Sequence, residues 1–213
     1  MLVGERMSKP VITITPETPI VEAMNRMKIE HVRQFPVVKN GKLVGFVSDK
    51  DILNASPSPV STLSIWEMNY LLSKITVSEV MLKNVLTVTE DTPIEQAARI
   101  MADNKISGLP VMRNGGVVGI ITETDLFKLF LELTGARELG IRVTVLVNDK
   151  PGELAKLTKT VSETGGDFIA FGLFTGLDTT NKMVTFKVTG ISQDELKKVI
   201  TPVVKQIIDI RSI

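Results

Sequence analysis

Apolar residues recur along this chain with two different periods, and each period predicts a different kind of element. Between Ile20 and Met27 they recur at the spacing of one helix face, and the same spacing returns between Ile94 and Met101. Ile141–Val147 instead alternates apolar and polar positions, which is typical of a strand with one buried face. The chain is therefore expected to mix helices and strands throughout its length.

The pattern of the first half occurs twice. Glu5–Leu53 and Glu79–Phe127 align without a gap at a constant offset of 74 positions, and about 18 of the 49 aligned pairs are identical. Each copy is too short to bury much surface alone, so we expect the two half-cores to close on each other around a pseudo-twofold axis. The groove between them is a natural place for a ligand.

Each copy is predicted to fold in the order β-α-β-β-α. Thr18 and Thr92 are predicted as helix N-caps, with a proline at the first helical position after each and a capping box between Thr92 and Glu95. Asn-Gly pairs predict tight hairpin turns, and a second helix begins near Lys50 and Thr124. The predicted strands are Val11–Thr15, Phe35–Val38 and Leu43–Val47, then Val85–Thr89, Leu109–Met112 and Val117–Ile121.

The segment between the copies predicts a loop followed by a short helix. Asn54–Thr62 is rich in Ser and Pro, and Ser64 with Glu67 forms a capping-box pattern. The helix carries the only Trp and the only Tyr of the chain, Trp66 and Tyr70. It is expected to pack over the two copies or over a dimer partner, and a functional lid is the alternative.

After Gly135, a predicted helix C-cap, the order of elements becomes βαββαβ. Such an order predicts an antiparallel sheet with two helices on one face. The final segment, Val203–Ile210, fits either a strand or a continued helix beyond Pro202. The other predicted elements are strands Ile141–Val147, Phe168–Phe174 and Met183–Val188, and helices over Glu153–Glu163 and from Ser192.

Composition excludes several classes of protein and site. The 213 residues include no cysteine and one histidine, so disulfides, thiolate zinc sites and multi-histidine metal sites are not expected. A net charge of +1 with interspersed signs does not predict a nucleic-acid partner. No apolar run is long enough for a membrane span, and the first ten residues lack the pattern of a secretory signal. These features fit a cytoplasmic protein.

Two segments at the repeat offset carry a family pattern. Gly45–Asp51 and Gly119–Asp125 both read Gly-apolar-apolar-Ser/Thr-x-x-Asp, and Ile106–Val111 is similar to the central strand entry of the same family. The two copies thus resemble a tandem pair of CBS domains, the module named after cystathionine β-synthase. Residues 140–213 resemble an ACT domain, a small-molecule regulatory module, through Asp149–Leu154 and Gly165-Gly166.

The order CBS–CBS–ACT resembles the acetoin utilisation protein family. The resemblance implies a fold that is part α/β and part α+β, with a CBS pair followed by a ferredoxin-like βαββαβ domain. The implied boundaries are 1–74 for the first CBS repeat with its connecting helix, 75–135 for the second repeat, and 140–213 for the ACT-like domain.

Ser48 and Thr122 each follow a strand and open a helix. Free N–H groups and the positive dipole end of a helix hold a phosphate, and an Asp one turn later accepts hydrogen bonds from ribose hydroxyls. The same residues, with Asp51 and Asp125, also suit an ordinary N-cap that serves stability alone. Spacing leaves both interpretations open.

The family resemblance implies two pockets, each joining the Ser/Thr-x-x-Asp of one repeat to the N-terminal strand of the other. One would combine Arg33, Ser48, Asp51, Met81, Leu86 and Ile106, and the other Met7, Ile12, Val32, Ser107, Thr122 and Asp125. Arg33 favours phosphorylated ligands. Its uncharged counterpart Ser107 implies weak binding, a nucleoside-like ligand or no ligand. His31, two positions before Arg33, is interpreted as a solvent-facing residue at a helix end, and contact with a phosphate is the alternative.

In the ACT-like part, the turn formed by Asn148, Asp149, Pro151 and Gly152 suits a backbone clamp for a carboxylate or an amine. The alternative is a helix-start turn capped by Asp149 without a ligand, and the sequence does not decide between them.

These features together predict a regulatory protein rather than an enzyme, because nothing arranges Asp51, Asp125, His31 or the lysines as nucleophile, base and orienter. The expected regulatory ligands are AMP, ADP, ATP or S-adenosylmethionine, with no catalytic cofactor. Ligand binding would control a separate enzyme or transporter through a homodimer. A ligand-free scaffold that dimerises and docks a partner is the alternative.

Overall fold

A computed structural model describes residues 1–55 and 64–213, and it describes only the backbone at positions 65, 66, 68, 69 and 71. The chain forms two compact units, Met1–Leu126 and Phe127–Ile213. Most of the predicted loop Asn54–Thr62, and the side chain of Trp66, lie outside the described residues.

The first unit contains two antiparallel hairpins, each flanked by helices. Its helices are α1 (Val3–Arg6), α2 (Ile20–Ile29), α3 (Asp49–Asn54), α4 (Ile65–Lys74), α5 (Val77–Val80) and α6 (Ile94–Asn104), and α7 (Glu123–Leu133) begins in it. Its strands are β1 (Gln34–Lys39), β2 (Lys42–Ser48), β3 (Val88–Thr89), β4 (Gly108–Arg113) and β5 (Gly116–Thr122). The four hairpin strands include every residue of the four predicted.

Both hairpin turns have the predicted geometry. Asn40 and Gly41 have φ values of 53° and 76°, and Asn114 and Gly115 have 51° and 80°. Positive φ at both central residues defines the type I′ turn, whose twist matches that of the flanking strands. The register in each repeat shifts by one residue beside the turn, at Val37/Val38 and at Val111/Met112.

The predicted first strand of each repeat is much shorter than expected. Over Val11–Thr15 only Ile14 forms a bridge, in parallel with Val37. Over Val85–Thr89 only the last two residues pair, in parallel with β4. The residues that come before these positions do not pair with the hairpin, because only the end of each segment comes within hydrogen-bonding distance of it.

The predicted helix starts are wrong by one residue. Pro19 and Pro93 are the N-cap residues, and neither Thr18 nor Thr92 caps a helix. The Thr92 hydroxyl instead accepts a hydrogen bond from the Thr89 N–H at 3.0 Å, so the capping box with Glu95 does not form. The predicted box before α4 does form, since Ser64 N donates to Glu67 Oε2 at 2.8 Å.

Each repeat sends its leading segment onto the other repeat. We call residues 1–8 the first arm and residues 75–82 the second arm. Val3 N donates to Thr92 O at 2.9 Å in the second repeat, and Val77 N donates to Thr18 O at 2.8 Å in the first. The two bonds join equivalent positions of the repeats, so they display the predicted pseudo-twofold relation.

The far ends of the arms are exchanged in the same way. Ser8 and Ile120 exchange two backbone hydrogen bonds, of 2.8 and 3.2 Å. Leu82 and Phe46 exchange the equivalent pair, of 2.8 and 2.9 Å. Each arm therefore extends the hairpin of the opposite repeat, and the two half-cores close on each other.

A glycine lies beneath the end of each arm. A Cβ at Gly45 would lie 2.3 Å from Met81 Sδ and 3.1 Å from Leu82 O, and a Cβ at Gly119 would lie 2.3 Å from Met7 Sδ. The glycine of the repeated Gly-apolar-apolar-Ser/Thr pattern is thus required by the close approach of an arm.

The second unit contains a four-stranded antiparallel sheet with strand order β7-β8-β6-β9. Its elements are the remainder of α7, then β6 (Ile141–Asn148), α8 (Glu153–Glu163), β7 (Asp167–Thr175), β8 (Asn181–Thr189), α9 (Gln193–Ile200), a 3-10 turn (Thr201–Val203) and β9 (Gln206–Ser212). The predicted βαββαβ order is confirmed, and the last segment is a strand because the turn at Pro202 ends α9.

The two helices of this sheet cover one of its faces. Leu157 and Val161 of α8 and Leu196 and Ile200 of α9 are buried in a cluster with alternate residues of the strands. Gly135 has a φ of 55° just after α7, as expected for the predicted C-cap.

Within residues 1–55 and 64–213, no helix has both the length and the apolar character that a membrane span requires.

Replacing Gly45 by alanine is expected to destabilise the first unit by about 1–3 kcal/mol, because the new methyl group overlaps Met81 and the Leu82 carbonyl. Gly116→Ala is the matched control, since the nearest atom to its Cβ lies at 3.7 Å. Urea unfolding of both variants measures the difference. Equal stability of the two would contradict the close approach of the second arm.

Candidate functional site

A cavity of about 350 Å³ lies between the two repeats. The first repeat contributes Arg33, Gln34, Phe46, Ser48, Asp49, Lys50 and Asp51. The second contributes Leu82, Val85, Leu86, Lys105, Ile106, Ser107, Gly108 and Glu123. Its size lies within the usual range for small-molecule sites.

The start of α3 forms the polar wall of the cavity. Ser48 N and Ser48 Oγ donate to Asp51 Oδ2 at 2.8 and 2.6 Å, and Asp51 N donates to Ser48 Oγ at 3.2 Å. This capping box fixes both side chains at a helix N-terminus. Its two bonds to the carboxylate end on Oδ2, so Oδ1 is the oxygen that a ligand hydroxyl would meet.

The second repeat forms the same capping box at the start of α7. Thr122 N and Thr122 Oγ1 donate to Asp125 Oδ2 at 2.9 and 2.7 Å. Asp125 is more enclosed than Asp51, because it is only 8% exposed whereas Asp51 is half-buried. The two equivalent positions therefore present different environments.

The opposite wall of the cavity is apolar and comes from the other repeat. Leu82, at the end of the second arm, is 51% exposed, and Leu86 is 45% exposed. Two large apolar side chains and a polar helix start together give the cavity an amphipathic lining.

A direct contact joins the repeats at the edge of the cavity. Ser107 Oγ donates to Gln34 Oε1 at 3.1 Å, and Gln34 Nε2 donates to Ser107 O at 3.3 Å. Gln34 aligns with Gly108 in the other repeat, and a Cβ on Gly108 would lie 2.1 Å from Gln34 Nε2. The glycine makes room for the longer side chain, so the twofold relation is broken here.

Charged side chains of both signs line the cavity. The cations are Arg33, Lys50 and Lys105, and the acids are Asp49, Asp51 and Glu123. Among the acids, Asp51 is already held in the capping box at the start of α3. In the described part of the chain, no cluster of three His, Asp or Glu side chains is arranged to hold a metal ion.

The cavity brings together five of the six residues predicted for the first pocket: Arg33, Ser48, Asp51, Leu86 and Ile106. Met81 is not in the lining, because its side chain lies against Gly45.

Of the residues predicted for the second pocket, only Ser107 lines this cavity. Met7 lies against Gly119, and Ile12 and Val32 pack on the apolar cluster of the first repeat. Thr122 and Asp125 form their own capping box. Ser107 thus lies on the Arg33 side, where it bonds Gln34.

Sequence reasoning missed Gln34 and Lys105. The signal for Gln34 was its alignment with a glycine, which indicates that some other group occupies the space of a side chain. Lys105 aligns with His31, and both have positive φ after a helix, 54° and 53°. His31 is exposed, as predicted, whereas Lys105 lines the cavity.

The turn before α8 lacks the predicted Asp149 cap. Asp149 does not cap the helix: Gly152 is the N-cap residue, with a φ of 89°, and Asp149 forms an ion pair of 3.3 Å with Lys182. Asn148 Nδ2 donates to Glu153 Oε2 at 3.4 Å. The carboxylate of Asp149 serves to join the turn to β8.

Comparison with protein families decides the nature of the two repeats. The sequence model of the CBS domain matches residues 3–58 and 77–132, slightly more than half of the chain. The chain belongs to the CBS domain family. The tandem pair predicted from the internal repeat is confirmed.

Solved CBS structures have the same fold. The CBS domain pair of protein MJ0100, in complex with 5′-methylthioadenosine and S-adenosyl-L-methionine, is 34% identical, with a TM-score of 0.52, and covers 65% of this chain and 98% of that one. CBSX2 in complex with AMP is 28% identical, with a TM-score of 0.52 and coverages of 62% and 97%.

A third similar structure is a putative acetoin utilization protein from Vibrio cholerae. It is 28% identical, with a TM-score of 0.53, and covers 64% of this chain and 95% of its own. In several curated relatives, by contrast, the matched region is less than half of the protein. The CBS pair therefore also occurs as one part of larger proteins.

Ser48→Ala is expected to lower the free energy of unfolding by about 1 kcal/mol, because α3 loses its N-cap acceptor. Ser64→Ala removes the same kind of cap from α4, away from the cavity, and is expected to cost a similar amount. Denaturant unfolding of both variants without ligand gives the comparison. No loss of stability in Ser48→Ala would show that this capping box does not form in solution.

Proposed function

We propose that this chain is a ligand-sensing regulatory protein that binds an adenine nucleotide or a related adenosyl compound between its CBS repeats. One observation carries the proposal: a capped helix start with Ser48 and Asp51 faces an apolar wall from the other repeat across a cavity of about 350 Å³.

Each part of the cavity has a role in this proposal. The base lies between Leu82, Leu86 and Ile106, and the ribose hydroxyls donate to Asp51 Oδ1. The phosphate lies near Arg33, with Lys105 as a second cation, where charge-assisted hydrogen bonds are available. The adenosyl ligands in MJ0100 and the AMP in CBSX2 support this class of ligand.

A second site of the same kind, around Thr122 and Asp125, is a weaker part of the proposal. It has no counterpart to the Arg33 charge, because the equivalent residue is Ser107, which bonds Gln34 in the first cavity. We expect it to prefer an uncharged nucleoside-like ligand or to bind weakly.

Binding is proposed to act on a separate enzyme or transporter through a homodimer of this chain. A ligand that interacts differently with two arrangements of the dimer shifts their populations by that difference in affinity. The likeness to a putative acetoin utilization protein does not identify the pathway.

We also propose that residues 140–213 are an ACT domain of the ferredoxin-like type. The βαββαβ order and the antiparallel sheet order support this assignment. The positive φ of Gly152 leaves the main chain of the turn open to a small carboxylate or amine, since a Cβ there would meet no atom within 4 Å.

AMP, ADP, ATP, S-adenosylmethionine or methylthioadenosine is expected to raise the melting temperature in a saturable way. A ligand at ten times its Kd stabilises the folded state by about 1.4 kcal/mol, which corresponds to about 3–5 °C for a chain of this size. Asp51→Ala is expected to abolish the shift for ligands of the first site. A thermal-shift titration measures both.

Glu67→Ala is the matched control, because Glu67 has the same capping-box role beside Ser64. It is expected to lower the melting temperature without ligand and to keep the ligand-induced shift. If none of the five compounds stabilises the protein, the sensing proposal is wrong and the scaffold alternative, in which both modules only dimerise and dock a partner, replaces it.

Arg33→Gln is expected to weaken AMP binding about tenfold, because an ionic hydrogen bond to phosphate is lost. Methylthioadenosine has no phosphate, so its affinity should stay within about twofold. Lys28→Gln removes the same charge from an exposed position of α2 and should change neither affinity. Isothermal titration distinguishes the outcomes, and equal weakening of both ligands would contradict a phosphate at Arg33.

A further inference from the structure

A second cavity, of about 430 Å³, lies within the C-terminal unit on the sheet. Val143 and Phe186 belong to the core beneath α8 and α9, so their neighbours Arg142, Thr185 and Lys187 lie on the opposite face. These three residues line the cavity. The site is distinct from the turn at Asn148, since six residues of strand span about 20 Å.

Three cations lie side by side across this face. Arg142 is directly opposite Lys187 on β8 and directly opposite Arg211 on β9. Like charges at directly opposed positions of a sheet destabilise it unless an anion compensates them. An anion next to these three cations would therefore stabilise the sheet.

One carboxylate compensates part of this charge. Asp209 accepts from Arg142 Nη1 at 3.0 Å and from Arg211 Nε at 2.9 Å. The hydrogen bond from Arg211 lowers the pKa of Asp209 below its usual range, so this carboxylate stays ionised. Within this row, three cations are therefore accompanied by one carboxylate.

Lys187 is the cation without an acidic partner in the described residues. It is only 3% exposed, and its ammonium group donates to the main-chain oxygens of Gly135 and Glu138 at 2.8 and 2.7 Å. An ammonium group has three N–H donors, and carbonyl oxygens do not neutralise its charge. A buried charge of this kind is stabilised by an anion in contact with it.

The other walls of the cavity are apolar and solvent-accessible. Phe130, Leu133 and Phe174 are 57%, 61% and 52% exposed, and all three line the cavity. The ring of Phe174 lies over Gly172, where a Cβ would be 3.0 Å from it. Among the residues that line the cavity, the only charged side chains are the two cations Arg142 and Lys187.

We propose that this cavity binds a small carboxylate with an apolar body, the carboxylate near Lys187 and Arg142 and the apolar part against Phe130, Leu133 and Phe174. The proposal depends on neither the nucleotide site nor the ACT assignment.

Isothermal titration of the full chain with 3-phenylpropanoate tests it. Saturable binding is expected, with 3-phenylpropanamide, acetate and inorganic phosphate each at least tenfold weaker, because each lacks the charge or the apolar body. No binding of 3-phenylpropanoate, or equal binding of the amide or of phosphate, would overturn the proposal.

Two variants of α7 form a matched pair. Phe130→Ala is expected to weaken 3-phenylpropanoate at least fivefold, whereas Phe127→Ala, which removes a 68% exposed ring outside the cavity lining, should leave it unchanged. Equal effects of the two would overturn the site. Lys187→Gln should abolish binding, and the α7 pair decides the matter if that variant does not fold.

Two further measurements distinguish binding at this site from binding in the nucleotide cavity and from contact between copies of the chain. Arg33→Gln should keep full affinity for 3-phenylpropanoate, and loss of affinity would place this ligand in the nucleotide cavity and overturn the proposal. Light scattering on the same samples tests a second copy as the occupant. If Phe130→Ala converts a dimer into monomers and neither form binds the carboxylate, the face is an interface between copies and the proposal is wrong.

Discussion

The exchange of two arms holds the first unit together. Equivalent backbone bonds, such as Val3 N to Thr92 O and Val77 N to Thr18 O, attach each leading segment to the opposite repeat. Backbone groups that remain unpaired in a buried interface are costly, so neither repeat has its full set of hydrogen bonds without the other. The cavity is a consequence of this exchange, since Leu82 belongs to the second arm and faces the helix start of the first repeat.

Much of this architecture was readable from the sequence because it depends on local rules. Asn-Gly pairs specify the type I′ turns, and apolar periodicity specifies the hairpins and the two helices on the C-terminal sheet. The helix starts were misplaced because Thr18 and Thr92 take part in the turn that precedes each helix. A local sequence pattern does not show whether a threonine caps the helix or stabilises the turn before it. The first strands were overestimated because their pairing depends on the path of the arms, which is not local.

The candidate site was predictable where it repeats and unpredictable where the repeats differ. Ser48 and Asp51 follow from a pattern that occurs twice, and the structure places them in one cavity with Arg33 and Leu86. Gln34 bonds Ser107 across the pair, and Lys105 lines a cavity that both repeats form, so alignment of one copy with the other does not reveal these roles. Met81 was assigned to the ligand pocket, whereas its side chain packs against Gly45.

The exchanged arms also determine the smallest gene segment that can encode a complete unit of this fold. A gene segment that encodes one copy together with its preceding arm would deliver an arm that fits only a neighbouring copy, and would leave its own hairpin edge bare. Adding or removing a single copy would therefore leave one arm without a hairpin to pair with, or one hairpin without an arm. Recombination is therefore expected to preserve even numbers of copies, with the pair of repeats as the unit that is gained or lost.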